Sequence, residues 1–276
     1  MIIEQQKSRL TSHLDGLLSS GQIVFSREDA MKKLNIPQGA LLDAAERLQR
    51  HGRLIKPRHG FYVIVPPQYL SWGTPPPSWY IDDLMRHEKH PYYVGLLKAA
   101  ELHGATHQAV MEFQVITDKR IPRIVAGKSA ISFYYRKDMT ECAKGLENRK
   151  TDTGNMKISS AELTVFDLLR YPQAAGGLDN TATVFSDLGS KIDPEKLTSL
   201  ASAFERPVVQ RTGYLLDKSG YSDRTEKLYE YLRASSPLPW TELEPASAGD
   251  PDFTPEPVEK NKRWHIIVRR WPEGDE

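Results

Sequence analysis

The sequence lacks the residues that mark secreted, membrane or strongly charged proteins. Its single cysteine, Cys142, cannot form a disulfide within the chain. No apolar run approaches the roughly 18 residues of a transmembrane helix, and the polar residues from Glu4 onward occupy the place where a signal peptide needs its apolar stretch. The formal net charge of the 276 residues is only +1, so net charge indicates no class of partner. These absences predict a protein of the reducing cytoplasm.

The charges are distributed unevenly along the chain. Residues 1–65 contain ten Lys or Arg against six Asp or Glu, whereas residues 241–259 contain six acidic residues and no Lys or Arg. This contrast indicates different partners for different regions. A proline-rich stretch over residues 66–79 separates the basic region from the rest and predicts an extended, semi-rigid connector.

Residues 1–65 show the pattern of a winged helix-turn-helix. Apolar residues at helical spacing predict helices over residues 3–19, 27–35 and 37–50, and Ser26 is a suitable N-cap for the second helix. Two short extended runs and an intervening Pro-Arg-His-Gly turn predict a β-hairpin over residues 53–65.

This arrangement is suited to duplex DNA. A helix fits the major groove, where base edges differ, while the preceding helix and the wing contact phosphates. We expect the third helix to be the recognition helix. The predicted DNA-binding residues are Arg27, Lys32, Lys33, Gln38, Arg47, Arg50, Lys56, Arg58 and His59. Asp43 and Glu46 weaken the positive potential of the exposed face, so a winged helix used for protein contacts is the alternative.

The remaining residues, 80–276, predict a larger mixed α/β domain, which makes the fold class α+β. Helical patterns cover residues 92–103 and 163–169 and most of 178–233. Extended runs lie at 112–117, 123–126, 130–136, 156–158 and 264–269. The acidic, proline-rich residues 234–260 predict a loosely ordered segment, after which we expect the last strand to return to a sheet of the main domain.

No motif in the sequence indicates catalysis, a metal or a cofactor. Gly176 and Gly177 alone do not form a phosphate-binding loop, and no Cys/His cluster has zinc-like spacing. The groups that come nearest to such sites are the pairs His87–His90 and His103–His107 and the nuclease-like set Glu112, Asp118 and Lys119. We interpret the histidines as polar residues at helix ends and the nuclease-like set as a chance composition. We therefore expect a protein that is not an enzyme.

Four segments of the larger domain carry distinctive motifs. They are Tyr92–Gln108 with its His-Gly-Ala-Thr-His-Gln turn, Phe113–Thr117, Ser159–Tyr171 followed by Gly176-Gly177-Leu178, and Gln210–Leu216 with its Gln-Arg-Thr-Gly-Tyr run. Together with the N-terminal module, these segments resemble the AbiEi family of type IV antitoxins. The resemblance covers roughly residues 5–220 and leaves out the tail beyond residue 234.

The resemblance implies a bifunctional protein that acts in abortive infection against phage. The winged helix would repress the antitoxin–toxin operon by binding repeats in its promoter, with two monomers binding cooperatively to paired repeats. The larger domain would counteract a cognate AbiEii toxin, which is similar to nucleotidyltransferases. Candidate residues for antitoxicity are Tyr92, His103, His107, Gln108, Arg211 and Tyr214. For the first four, packing in a core helix and its buried turn is the interpretation that we favour over a recognition surface.

Two other classes of function fit the same layout. A ligand-sensing repressor would use the larger domain to bind a small molecule and would have no toxin partner. A DNA-processing enzyme would use the winged helix to reach its substrate. Only an antitoxin is expected to rescue cells from a neighbouring toxin, and only an enzyme is expected to nick its operator.

Overall fold

The computed structural model describes residues 2–105, 110–234, 237–244 and 255–272, and for residues 2–8 it describes the backbone alone. The chain forms two compact units. The first comprises Met1–Tyr93, Met111–Lys137 and Asn148–Lys157, and the second comprises Val94–Val110, Asp138–Glu147 and Ile158–Glu276. These limits differ from the domain boundaries that we predict from the sequence, because strands within residues 111–137 belong to the same unit as the N-terminal module.

The chain begins with a winged helix-turn-helix and continues into a larger part of helices and mixed sheets. The predicted α+β fold class is therefore confirmed. The elements of the N-terminal module are α1 (Ile2–Ser19), β1 (Val24–Ser26), α2 (Arg27–Leu34), α3 (Gln38–Arg50), β2 (Leu54–Arg58) and β3 (Phe61–Ile64). The strands form an antiparallel sheet in the order β1-β3-β2. The short strand β1 was not among the predicted elements.

Local sequence explains how α2 and α3 begin and end. The Ser26 hydroxyl accepts a hydrogen bond from the Asp29 backbone N–H at 3.0 Å, which is the predicted N-cap of α2. Asn35 ends α2 in the left-handed region at φ 50°, a conformation that asparagine tolerates. Leu14, Leu41 and other apolar side chains of the module form a buried core, in which each leucine contributes roughly 1.5–3 kcal/mol.

The first unit continues with α4 (Ile81–Glu88), β5 (Glu112–Thr117), β6 (Ile124–Ala126) and β7 (Ser129–Tyr135). Strands β5 and β7 pair in parallel, and β6 pairs with β7 antiparallel. A six-stranded mixed sheet has the order β6-β7-β5-β4-β9-β8, where β4 is Tyr92–Val94, β8 is Leu146–Thr151 and β9 is Gly154–Ser159. The limits of the two units fall within β4, β8 and β9.

The second unit is mainly helical. Its helices are α5 (Leu96–Leu102), α6 (Ala161–Arg170), α7 (Gly177–Leu188), α8 (Pro194–Leu200), α9 (Arg206–Lys218) and α10 (Ser222–Arg233). Helix α6 is buried along nearly its whole length, and the Ser160 hydroxyl caps it by accepting from the Leu163 N–H. A small sheet of β10 (Thr241–Glu242), β12 (Ile266–Val268) and β11 (Glu259–Asn261), in that order, completes this unit.

The structure differs from the predicted secondary structure in two places, residues 92–103 and parts of residues 234–260. The helix expected over residues 92–103 is instead strand β4 followed by α5, because Val94 pairs in parallel with Ile158 and the chain turns at Gly95. The last strand, β12, returns to the small sheet of the second unit, where it pairs with β10 and β11. Parts of residues 234–260 are strands, although residues 235–236 and 245–254 lie outside the described residues.

Within the described ranges, no helix is long and apolar enough to cross a membrane.

Candidate functional site

The exposed surface of α2 and α3 presents an amide side chain that can contact base edges and two lysines that have no ion pair within the described residues. Gln38 and Gly39 are exposed at the start of α3, as expected for the end of a helix that approaches base edges. Lys32 and Lys33 are exposed in the last turn of α2, and neither has an ion pair within the described residues. The charge of Lys33 also acts together with burial to lower the pKa of the half-buried His13 on α1. This surface can attract a polyanion.

The far end of α3 is electrostatically mixed. Arg50 forms an ion pair with Glu46 one turn earlier, at 2.5 Å. Arg47 is half-buried, and its guanidinium has no ion pair in the part of the chain that the structure describes. Asp43 is exposed on the same helix. Because Arg50 already has a carboxylate partner, it contributes less positive potential than the sequence alone indicates.

The tip of the wing is held by hydrogen bonds inside the first unit. A guanidinium nitrogen of Arg27 lies 3.0 Å from Nε2 of His59, and the same guanidinium pairs with Glu28 at 2.9 Å. Since a guanidinium only donates hydrogen bonds, Nε2 of His59 accepts, and the imidazole is neutral in this arrangement. Nε2 of His87 donates to the His59 carbonyl at 3.0 Å, and Gly60 turns the chain at φ +73°. Arg27 and His59 therefore support the wing, and their DNA contacts stay a prediction.

Arg58 likewise has a hydrogen-bond partner inside the first unit. Its guanidinium donates to the Pro122 carbonyl at 2.7 Å and lies 5.9 Å from the ring centre of Phe133. Both partners belong to the first unit. The sequence correctly places a basic residue near the wing tip, but it cannot show that the guanidinium already has an acceptor.

A polar groove lies beside the wing, between β2 and β6. It has a volume of about 430 Å³, and its lining includes Lys56, Arg58 and Arg123. Lys56 is exposed and has no ion pair within the described ranges, whereas Arg123 pairs with Glu112 at 2.6 Å. Arg123 is not among the predicted DNA-binding residues, because its place beside the wing depends on a contact between strands that are distant in the sequence. The groove adds positive charge next to Lys56.

Two of the candidate antitoxicity residues are Tyr92 on strand β4 and His103 at the end of α5. Tyr92 is 4% exposed, and its hydroxyl donates to Asp82 at 2.9 Å. His103 is half-buried, and its Nε2 donates to the Ser159 carbonyl at 2.8 Å. Burial therefore excludes Tyr92 from a recognition surface and favours the core-packing interpretation. His107 and Gln108 lie outside the described residues.

The Gln-Arg-Thr-Gly-Tyr segment lies on α9, and its side chains contact the C-terminal strands and the residues next to them. The Gln210 side-chain amide donates to the carbonyls of Pro239 and Trp264, at 2.8 Å each. Gly213 lies against the fully buried Trp264 ring, and the Tyr214 hydroxyl donates to Glu259 at 3.1 Å. Burial is the main cause that raises the pKa of Tyr214. The motif thus supports the structure, and Tyr214, which is 1% exposed, does not lie on an exposed surface of this unit.

Arg211, in the same motif, is placed differently. It is half-buried, its Nε donates to the Glu242 carbonyl at 2.8 Å, and it lines a cavity in the second unit. Desolvation lowers the pKa of Arg211, against the opposing charge of Glu242. Of the two candidates on α9, Arg211 alone can reach a bound molecule.

The two carboxylates of the nuclease-like set have structural partners. Glu112 accepts from Ser132 and pairs with Arg123, and these contacts lower its pKa. Asp118 accepts from Nδ1 of His90 at 2.8 Å. Among the described residues, no three His, Cys, Asp or Glu side chains lie together so that they could hold a metal ion.

Comparisons with known proteins agree with this arrangement. Residues 93–218 match the family model described as the AbiEi antitoxin C-terminal domain, which confirms the family resemblance. The fold is similar to the crystal structure of the RV2827C protein from Mycobacterium tuberculosis, with a TM-score of 0.69 and 18% identity, over 96% of this chain and 91% of that chain. At this identity the similarity concerns the fold alone. None of the curated proteins matches the sequence.

Proposed function

Because this chain carries an AbiEi antitoxin C-terminal domain at residues 93–218, we propose that it is an antitoxin that also represses its own promoter. The observation that supports both roles is the presence of this domain in one chain with a winged helix-turn-helix. The protein acts in the cytoplasm on two partners, duplex DNA and a toxin, and it catalyses no reaction itself.

The DNA-binding role rests on the accessible cations of the N-terminal module. Lys32, Lys33 and Lys56 are exposed and have no ion pairs within the described residues, and Gln38 is exposed at the start of α3. Lysines of this kind neutralise phosphates and release counterions, whereas an exposed amide reads a base edge. The target is the promoter of the protein's own operon, at paired repeats occupied by two monomers.

The antitoxin role follows from the family of the larger domain. An antitoxin requires a toxin partner, and the family resemblance indicates a nucleotidyltransferase-like toxin in phage defence. Neutralisation does not require catalytic groups in this chain. This view agrees with the structural partners of Glu112 and Asp118, whose carboxylates are already bound.

Co-expression with the neighbouring toxin tests the antitoxin role. When a nucleotidyltransferase-like reading frame from the same operon is induced and arrests growth, the full chain is expected to return colony counts to those of the uninduced culture. The control is the same toxin with an empty vector. Persistent arrest while the soluble chain accumulates would contradict the antitoxin role. If repression of the promoter were intact in that case, the result would support a ligand-sensing repressor.

A further inference from the structure

A cavity in the second unit has the size and lining of a small-molecule site. Its volume is about 450 Å³, within the range of roughly 300–1,000 Å³ that ligand pockets occupy. Leu168, Leu169, Leu178 and Leu243 form apolar walls. The antitoxin and repressor roles proposed above do not require this cavity, so its lining calls for a separate explanation.

Arg211 supplies a positive charge to this cavity. Its Nε is bound to the Glu242 carbonyl, but the Glu242 carboxylate pairs with Arg269 at 2.8 Å. Within the described ranges, Arg211 has no ion pair of its own. Burial disfavours its charged form, which is why its pKa is lowered. The charge of Glu242 offsets this only in part, and a half-buried guanidinium that has no direct ion pair is stabilised further when an anion enters beside it.

The start of α7 adds hydrogen-bond donors to the same wall. Gly176 and Gly177 line the cavity at φ +74° and +92°, and no side chain caps the helix. The first backbone N–H groups of a helix have no acceptor within the helix, and the helix dipole favours an anion there. Asp179 lies in this first turn, but its carboxylate pairs with Arg270 at 2.7 Å. The N–H groups therefore do not face an uncompensated negative charge.

We propose that this cavity binds a small amphipathic anion. The carboxylate or phosphate group lies between the Arg211 guanidinium and the N-terminus of α7, and the apolar body lies against the leucines. Glu244 on the rim pairs with Arg270 at 3.6 Å, so it does not strongly repel the anion. This assignment is independent of the toxin and of DNA.

Titration of the ¹⁵N-labelled full chain with three eight-carbon probes tests the proposal. Octanoate and octyl phosphate are expected to produce saturable shifts of the Gly176 and Gly177 amide signals. Octanol has the same apolar body but no charge, and it is expected to bind at least about tenfold more weakly, as the loss of a charge-assisted hydrogen bond requires. The difference between the two anions shows whether the site prefers a carboxylate or a phosphate.

Two variants on α9 test whether Arg211 supplies the positive charge that binds the anion. Arg211→Gln is expected to weaken anion binding about tenfold, whereas Arg206→Gln, an exposed arginine on the same helix, is expected to leave it unchanged. The proposal is overturned if neither anion shifts these glycines at millimolar concentration, if octanol binds as tightly as the anions, or if both variants bind like the wild type. If Arg211→Gln fails to fold, the comparison of octanol with octanoate on the wild-type chain decides alone.

Discussion

Replacing Lys32 and Lys33 together by glutamine is expected to reduce the salt dependence of promoter binding by about two units of slope, since each phosphate contact contributes roughly 0.9. A fourfold rise in salt concentration then lowers the affinity of the wild-type chain for promoter DNA about tenfold more than it lowers the affinity of the variant. The reason is that both lysines are exposed in the last turn of α2 and lack ion pairs within the described residues. Fluorescence anisotropy with promoter DNA over a series of salt concentrations measures this slope.

Two further variants make the test specific. Lys144→Gln removes an exposed lysine of the second unit and is expected to leave the slope unchanged. Arg58→Gln is also expected to leave it unchanged, because the Arg58 guanidinium is bound to the Pro122 carbonyl. The sequence alone predicts the opposite for Arg58, namely a loss of one unit. An unchanged slope for Lys32→Gln/Lys33→Gln, or a drop for Arg58→Gln, would contradict this assignment of the phosphate contacts.

Gly213→Ala is expected to destabilise the second unit by about 2 kcal/mol, in the range typical of an overpacked core. A Cβ at this position would lie 2.2 Å from an atom of the Trp264 ring, so the ring must move. Trp264 is fully buried, and its Nε1 donates to Asp217 at 2.7 Å, so movement also strains this hydrogen bond. Urea denaturation followed by far-UV circular dichroism measures the change in the free energy of unfolding.

Gly16→Ala is the matched control for this prediction. Gly16 also lies within a helix, but a Cβ there would meet nothing within 4 Å. Alanine at Gly16 is therefore expected to stabilise the chain by roughly 0.5–1 kcal/mol, because glycine is unfavourable inside helices. If the two substitutions had equal effects, the close packing of Gly213 on Trp264 would be refuted.

The winged helix-turn-helix could be predicted because its signals are local. The apolar spacing of α1 and α3, the Ser26 cap and the turn at Gly60 each depend on a few neighbouring residues. Strand β1 escaped prediction because it has only three residues and exists by pairing with β3, for example Val24 with Val63. Its residues alone do not distinguish a strand from a loop.

The larger part of the fold depended on contacts that the sequence does not display. Tyr92–Val94 directly precedes a strong helical pattern of apolar residues. The predicted helix over residues 92–103 therefore includes these three residues, although they form strand β4. The structure separates the two elements at Gly95 and at Leu96, a buried residue held at φ +58°. A leucine in this region is strained by about 1 kcal/mol or more, so only surrounding packing can keep it there.

The order of the C-terminal tail also depends on long-range contacts that the sequence does not reveal. Its acidic and proline-rich composition predicts weak order. The strands form because Trp264, Ile266 and Val268 are buried and because Gln210 on α9 binds two of the tail's carbonyls. The Gln-Arg-Thr-Gly-Tyr motif was visible in the sequence, but its partners were not, since they lie about 30 to 55 residues away along the chain.

The sequence shows which residues of the winged helix are cationic but not which of them are available to DNA. Exposed lysines such as Lys32 differ from arginines with internal partners, such as Arg27 and Arg58, only in the folded chain. Arginine forms such fixed hydrogen bonds more readily than lysine, because its guanidinium presents several donors in one plane. Exposure and pairing are properties of the fold.

Two readouts in one strain test the central proposal, that promoter binding and antitoxicity are separable functions of one chain. The strain carries a reporter under the protein's own promoter and an inducible copy of the neighbouring toxin. The Lys32→Gln/Lys33→Gln chain is expected to leave the reporter derepressed while still restoring growth, as the wild-type chain does. Loss of both functions in this variant, at an unchanged level of soluble protein, would contradict the proposal.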